Sequence, residues 1–240
     1  MEQTPDRDEA NARAEAFLTA FNTVEQALKE RTGVDRHESF RTAAHRFVKA
    51  HRWWERDFEA MLAFADLRNV IVHERYQPYE YLSIPSSHVL EEIEAVRDRL
   101  LRPTRADEAF AREVASLEVT QSVLEALREV EGRAYTQFPA YHDGTFRGLV
   151  TGNGVAHWLA HVMEHEDVSL VDFEARTVAE LLDYEEPREN HAFAARDTPA
   201  EEVLHRFAEN PQLEAVLITE HGRSDQKPLG IATRWDVRAR

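Results

Sequence analysis

Cysteine is absent from the 240-residue chain, which excludes disulfides and thiolate chemistry. Glycine (8) and proline (9) are scarce, leaving no room for a long low-complexity segment. No apolar run nears the roughly 20 residues that a membrane span requires. The stretch Met1 to Ala10 is acidic and polar, unlike a signal peptide. A cytoplasmic location is therefore expected. Of 29 basic residues only Lys29, Lys49 and Lys227 are lysines. The formal net charge of −16 repels nucleic acid on average, although binding depends on the local field rather than on the sum.

What is present divides into two halves with different periodicities. From Asp8 to about Arg102 the apolar pattern is helical. Ala14, Phe17, Phe21, Val24 and Leu28 recur at steps of three and four, the stripe of an amphipathic helix that Gly33 can stop. Further helices are expected near Glu38–Trp54 and Phe58–Arg75, with turn chemistry at Tyr76–Pro78 and Ile84–Ser86. Ser86 or Ser87 can cap a fourth helix, Val89–Leu101, before Pro103. Helices joined by fairly short loops imply a bundle over residues 1–103.

Beyond Pro103, short β-like runs alternate with helical stretches. Phe138–Tyr141, the turn Asp143-Gly144 and Phe146–Val150 form one hairpin; Ala215–Ile218 and Leu229–Ala232 flank a polar loop in another. The segments Ser122–Leu127, Gln137–Tyr141 and Gly148-Leu-Val-Thr-Gly-Asn-Gly154 align with Ala200–Leu204, Leu213–Ile218 and Gly230-Ile-Ala-Thr-Arg-Trp-Asp236. The expected fold is α+β: an N-terminal helical bundle, then a β-α-β-β-α unit twice, over about 104–168 and 169–240.

This repeat resembles a tandem pair of CBS domains, whose signature is Gly-apolar-apolar-Thr/Ser-x-x-Asp opening the last helix. Glycine permits close approach of a ligand to the strand end. Thr233 offers a hydroxyl at a helix N-terminus, where free N–H groups suit phosphate. Asp236 can accept hydrogens from two ribose hydroxyls. The same two residues also suit a plain helix cap. The resemblance implies an adenine nucleotide (AMP, ATP or related) as regulatory ligand, its base lying against Val216 and Ala194-Ala195. In the first copy Thr151 is present, but Gly154 replaces the aspartate, so at most one well-formed site is expected.

In the helical half, Leu67-Arg-Asn-Val-Ile-Val-His-Glu-Arg-Tyr76 places four residues between Arg68 and His73. With the bundle, this resembles the HEPN family, many of whose members are metal-independent endoribonucleases acting as dimers. Histidine titrates near neutral pH and suits proton transfer; arginine presents a permanently charged fork to phosphate. Asn69 and His73 share a helix face, with Arg68 about 100° away from Asn69. Arg68, Asn69 and His73 are thus the candidate catalytic residues. Arg41, His45, Lys49, Arg52 and Arg56 form a cationic stripe fit for a phosphate backbone or a solvated face. His157, His161 and His165 read as an ordinary helix face, so no metal is expected. The combined expectation is a homodimer in which a nucleotide-sensing CBS pair controls an HEPN-like domain that binds or cleaves RNA. The alternative is a non-catalytic sensor whose bundle mediates dimerisation or partner binding.

Overall fold

The computed structural model describes residues 7–73, 75–77, 80–81, 83–131, 133, 136–165, 174–185 and 189–238. The chain divides into two compact units, Met1–Pro103 and Thr104–Arg240.

The first unit is built on α1 (Arg7–Thr32), whose stripe of Ala14, Phe17, Phe21, Val24 and Leu28 is buried throughout. Gly33, at φ +63°, ends α1 in the left-handed conformation that glycine adopts without steric cost. Ser39 caps α2 (Phe40–Ala50), its hydroxyl accepting from Thr42 N at 3.1 Å. The helix expected to reach Trp54 instead breaks at His51, whose N–H bonds to the carbonyls of Phe47 and Val48. A 3-10 turn, Arg52–Asp57, follows and buries Trp54 against Phe47. Packing of the indole thus overrides the continuous helical pattern. After it come α3 (Phe58–His73), a small antiparallel pair of β1 (Arg75–Gln77) and β2 (Glu80–Tyr81), and α4 (Ser87–Leu101). Ser86 caps α4 through Val89 N. Of the expected turn at 76–78, residue 78 lies outside the described residues, while Gln77 closes β1. Phe17, Phe47, Phe64, Ile93 and Leu100 share one core, each contributing about 1.5–3 kcal/mol of burial.

The second unit contains the repeat. Its first copy runs β3 (Leu117–Glu118), α6 (Val123–Val130), β4 (Gln137–His142), β5 (Thr145–Thr151) and α7 (Gly152–His165). The second runs β6 (His191–Ala195), α9 (Ala200–Glu209), β7 (Ala215–Thr219), β8 (Gly230–Thr233) and α10 (Arg234–Arg238). In each, the first strand lies parallel to the second and the second antiparallel to the third. Asp143 (φ +49°) and Gly144 (φ +73°) make the tight hairpin turn that the Asp-Gly pair predicts. Leu149, Ala215, Leu217 and Ile231 join the two sheets in one cluster.

The segments leading into the copies are exchanged. Helix α5 (Ala106–Ala109) packs with β7 and α9 of the second copy, while α8 (Val178–Asp183) packs with β5, α6 and α7 of the first. Backbone bonds seal each exchange. Ala106 N donates to Thr198 O and Ala200 N to Thr104 O; Val123 N donates to Arg176 O and Val178 N to Gln121 O. Each core therefore contains residues from the other copy's approach: Val178 and Leu181 in one, Ala106 and Phe110 in the other.

Candidate ligand site

Strand β8 ends at Thr233, which is buried, and α10 opens at the next residue. Asp236 turns back onto this junction. Its Oδ2 accepts from Thr233 N at 2.7 Å and from the Thr233 hydroxyl at 3.1 Å. Its Oδ1 accepts from Arg112 Nη2 at 2.5 Å. An ionised carboxylate offers about four acceptor positions, so this one retains a single free lone pair. The predicted pair is brought together, and it acts as a helix cap with a cation held beside it.

In the first copy the equivalent junction lies between β5 and α7. Thr151 is again buried, and Gly154 supplies no carboxylate. Glu185 supplies one instead, from beyond α8. Its Oε1 accepts from Thr151 N at 2.6 Å and its Oε2 from Thr151 Oγ1 at 3.0 Å, while Gly154 N donates to the same hydroxyl. The junction borders a cleft of about 200 Å³ whose lining includes Thr151, Gly154, His157, Glu185, Gln212 and Glu214. Burial pushes the Glu185 carboxyl above the ordinary carboxylate range. The Thr151 bonds oppose that shift, Glu214 adds to it, and His157 opposes it. No local spacing announces Glu185, which stands 34 positions from Thr151. It arrives only because the lead segments are exchanged.

Residues 178–240 match the CBS domain family. The first CBS-type copy repeats the strand order of the matched one. No curated protein matches the chain. Among solved structures it is similar to a CBS domain protein from Streptococcus pneumoniae TIGR4, at 19% identity and a TM-score of 0.39, over 65% of this chain and 94% of that one. Similarity extends to a signal-transduction protein with CBS domains from Burkholderia ambifaria MC40-6, at 13% identity, TM-score 0.42, over 56% and 91%. A third is CBSX2 in complex with AMP, at 16% identity, TM-score 0.41, over 56% and 93%.

Two sequence readings change within the CBS-type pair. The signature glycines face protein. A Cβ on Gly230 would stand 2.3 Å from Phe110 O, and one on Gly148 would stand 3.0 Å from Leu182 Cδ2. Both glycines therefore admit the lead segment of the opposite copy. Val216 and Ala194 belong to a core with Phe110, Ala200, Val203 and Phe207. They are 0% and 2% exposed, so a base reaches them only if that packing yields.

In the helical unit, Arg68 and Asn69 adjoin, Arg68 Nη1 donating to Asn69 Oδ1 at 3.3 Å. Both line a cavity of about 250 Å³ together with Phe21, Ser39, Phe40 and Arg41. His73 is exposed at the end of α3 and does not line that cavity. The cationic stripe is exposed, but Arg41 is held by Asp66 at 2.6 Å and Arg52 by Glu55 at 2.9 Å. On α7, His157 and His161 are exposed and the side chain of His165 lies outside the description. Among the described residues no group of three metal-ligating side chains occurs. Nor is any described helix long and apolar enough to cross a membrane.

Proposed function

We propose that this protein is a regulator in which the CBS-type pair senses an adenine nucleotide and the helical unit is the effector. The observation that carries the sensing role is the junction of Thr233, Asp236 and Arg112. It sets a carboxylate with one spare acceptor beside a guanidinium, at the end of a strand in a CBS fold. The carboxylate suits a ribose hydroxyl and the guanidinium suits a phosphate. For the effector, the reading is an HEPN-like domain that binds RNA or cleaves it without metal, using Arg68, Asn69 and His73 across a homodimer. What supports it is the cavity that gathers Arg68 with Asn69, Ser39 and Arg41.

Control by a nucleotide requires that it bind two states of the protein with different affinity. Calorimetry with AMP and ATP tests the sensing role, with Asp236→Ala expected to weaken binding about tenfold or more. No binding of either by wild type removes it. Incubation with structured RNA in EDTA tests the effector. Cleavage that His73→Ala or Arg68→Ala abolishes supports the nuclease. Activity indistinguishable between wild type and variants leaves the bundle as a platform for dimerisation or partner binding.

A further inference from the structure

We propose that the first cleft is a second ligand site, in which Glu185 is the sugar-binding carboxylate and the preferred ligand is an unphosphorylated ribonucleoside. This deepens the sensing role above and rests on it.

The case begins with equivalent atoms. At Thr233 a carboxylate accepts from the backbone N–H at 2.7 Å and the hydroxyl at 3.1 Å; at Thr151 the same two groups reach Glu185 at 2.6 and 3.0 Å. The carboxylate differs in origin and in how it is shared: one Asp236 oxygen serves both Thr233 donors, whereas each Glu185 oxygen serves one Thr151 donor. At the second junction it comes from three residues along the chain, and at the first from across the pair. Gly154 is the complement of that exchange, since a Cβ there would stand 1.8 Å from Glu185 Oε1. The carboxylate missing from position 154 is thus present in space.

Glu185 is also less committed than Asp236. Each of its oxygens accepts one bond from Thr151, whereas Asp236 serves three donors, one of them a guanidinium. Two acceptor positions remain for a pair of vicinal hydroxyls. Asn190 and Gln212 line the same cleft and bring amides that can read a base edge. A volume of about 200 Å³ holds a ribose and part of a base; pockets for drug-sized ligands begin near 300 Å³.

Charge decides against phosphate. Glu185 and Glu214 both line this cleft, against the single imidazole of His157, and N–H groups where β5 passes into α7 are engaged: Thr151 N by Glu185, Gly152 N by Thr136 O and Gly154 N by the Thr151 hydroxyl. A phosphate would meet two carboxylates where the second junction offers Arg112. The two sites therefore divide nucleoside from nucleotide.

The experiment is calorimetry on the full chain with adenosine, 2′-deoxyadenosine, guanosine and AMP, using wild type, Glu185→Gln and Gly154→Asp/Glu185→Ala. Adenosine is expected to bind wild type, to lose about tenfold or more with Glu185→Gln, and to lose a similar factor without its 2′-hydroxyl. Gly154→Asp/Glu185→Ala moves the carboxylate to the second-copy position and is expected to restore binding. Adenosine and 2′-deoxyadenosine binding wild type equally would overturn the inference without any variant. So would adenosine affinity indifferent to Glu185→Gln; AMP binding lost on Asp236→Asn would then leave the nucleotide sensor standing. Guanosine binding that depends on Glu185, with no adenine compound bound, upholds the site and ends the adenine reading. Binding of none of the four ends the inference, and failure of ATP as well ends the nucleotide sensor.

Discussion

Glu185 lies where the side chain of residue 154 would otherwise be, its Oε1 only 1.8 Å from the position of a Cβ built on Gly154. A glycine on one helix and a glutamate from the opposite lead segment are therefore a complementary pair, although 31 positions of chain separate them.

The first prediction is that Gly154 and Glu185 are energetically coupled. Gly154→Ala must evict the carboxylate, and overpacking of this kind costs about 1–3 kcal/mol. In a Glu185→Ala background the same substitution should cost much less. Urea denaturation of the four proteins in this cycle measures the coupling. Additive effects would show that the two residues do not share the space.

The second concerns pH. The folded-state acidity of Glu185 is raised by burial, so the folded protein holds this proton to higher pH than the unfolded chain does. Stability from this group is full below the unfolded value of about 4.3 and is lost as pH rises toward the folded value. Above that point the loss is constant. Thermal melts of wild type and Glu185→Gln should converge in acid and diverge as pH rises from about 4.3, with Gln becoming the more favoured. A difference independent of pH would contradict the shift.

The third separates two glycines that look alike in the sequence. A Cβ at Gly230 would meet the Phe110 carbonyl at 2.3 Å, a backbone atom in a bridge between Ala111 and Gly230. At Gly148 it would meet the tip of Leu182 at 3.0 Å, which can rotate away. Gly230→Ala should therefore destabilise by about 1–3 kcal/mol and Gly148→Ala by clearly less, as read from denaturation midpoints.

The fourth concerns the helical unit. Arg68 has Asn69 as its partner among the described residues, and His73 is exposed. Arg68→Ala and His73→Ala should each leave thermal stability within about 0.5 kcal/mol of wild type. Any loss of RNA binding or cleavage in these variants then reports on the site rather than on unfolding. A large drop in melting temperature would mark Arg68 as structural.

The sequence alone determined the elements that depend on near neighbours. The stripe from Ala14 to Leu28 folds as α1 because its spacing is that of a helix. Asp143-Gly144 turns the hairpin because both residues tolerate positive φ. Copies aligned at Thr151 and Thr233 share a strand order because each contains the same succession of apolar runs and turns. The carboxylate of Asp236 was readable too, being one helical turn from the threonine that it serves. Tertiary structure alone decided the rest: which copy each lead segment covers, what the signature glycines admit, that Val216 is core, and that Glu185 completes the first junction. The physical reason is that these outcomes depend on contacts between residues tens of positions apart, made by the exchange of α5 and α8. Local propensity and hydrophobic periodicity carry no record of which sheet such a segment will cover.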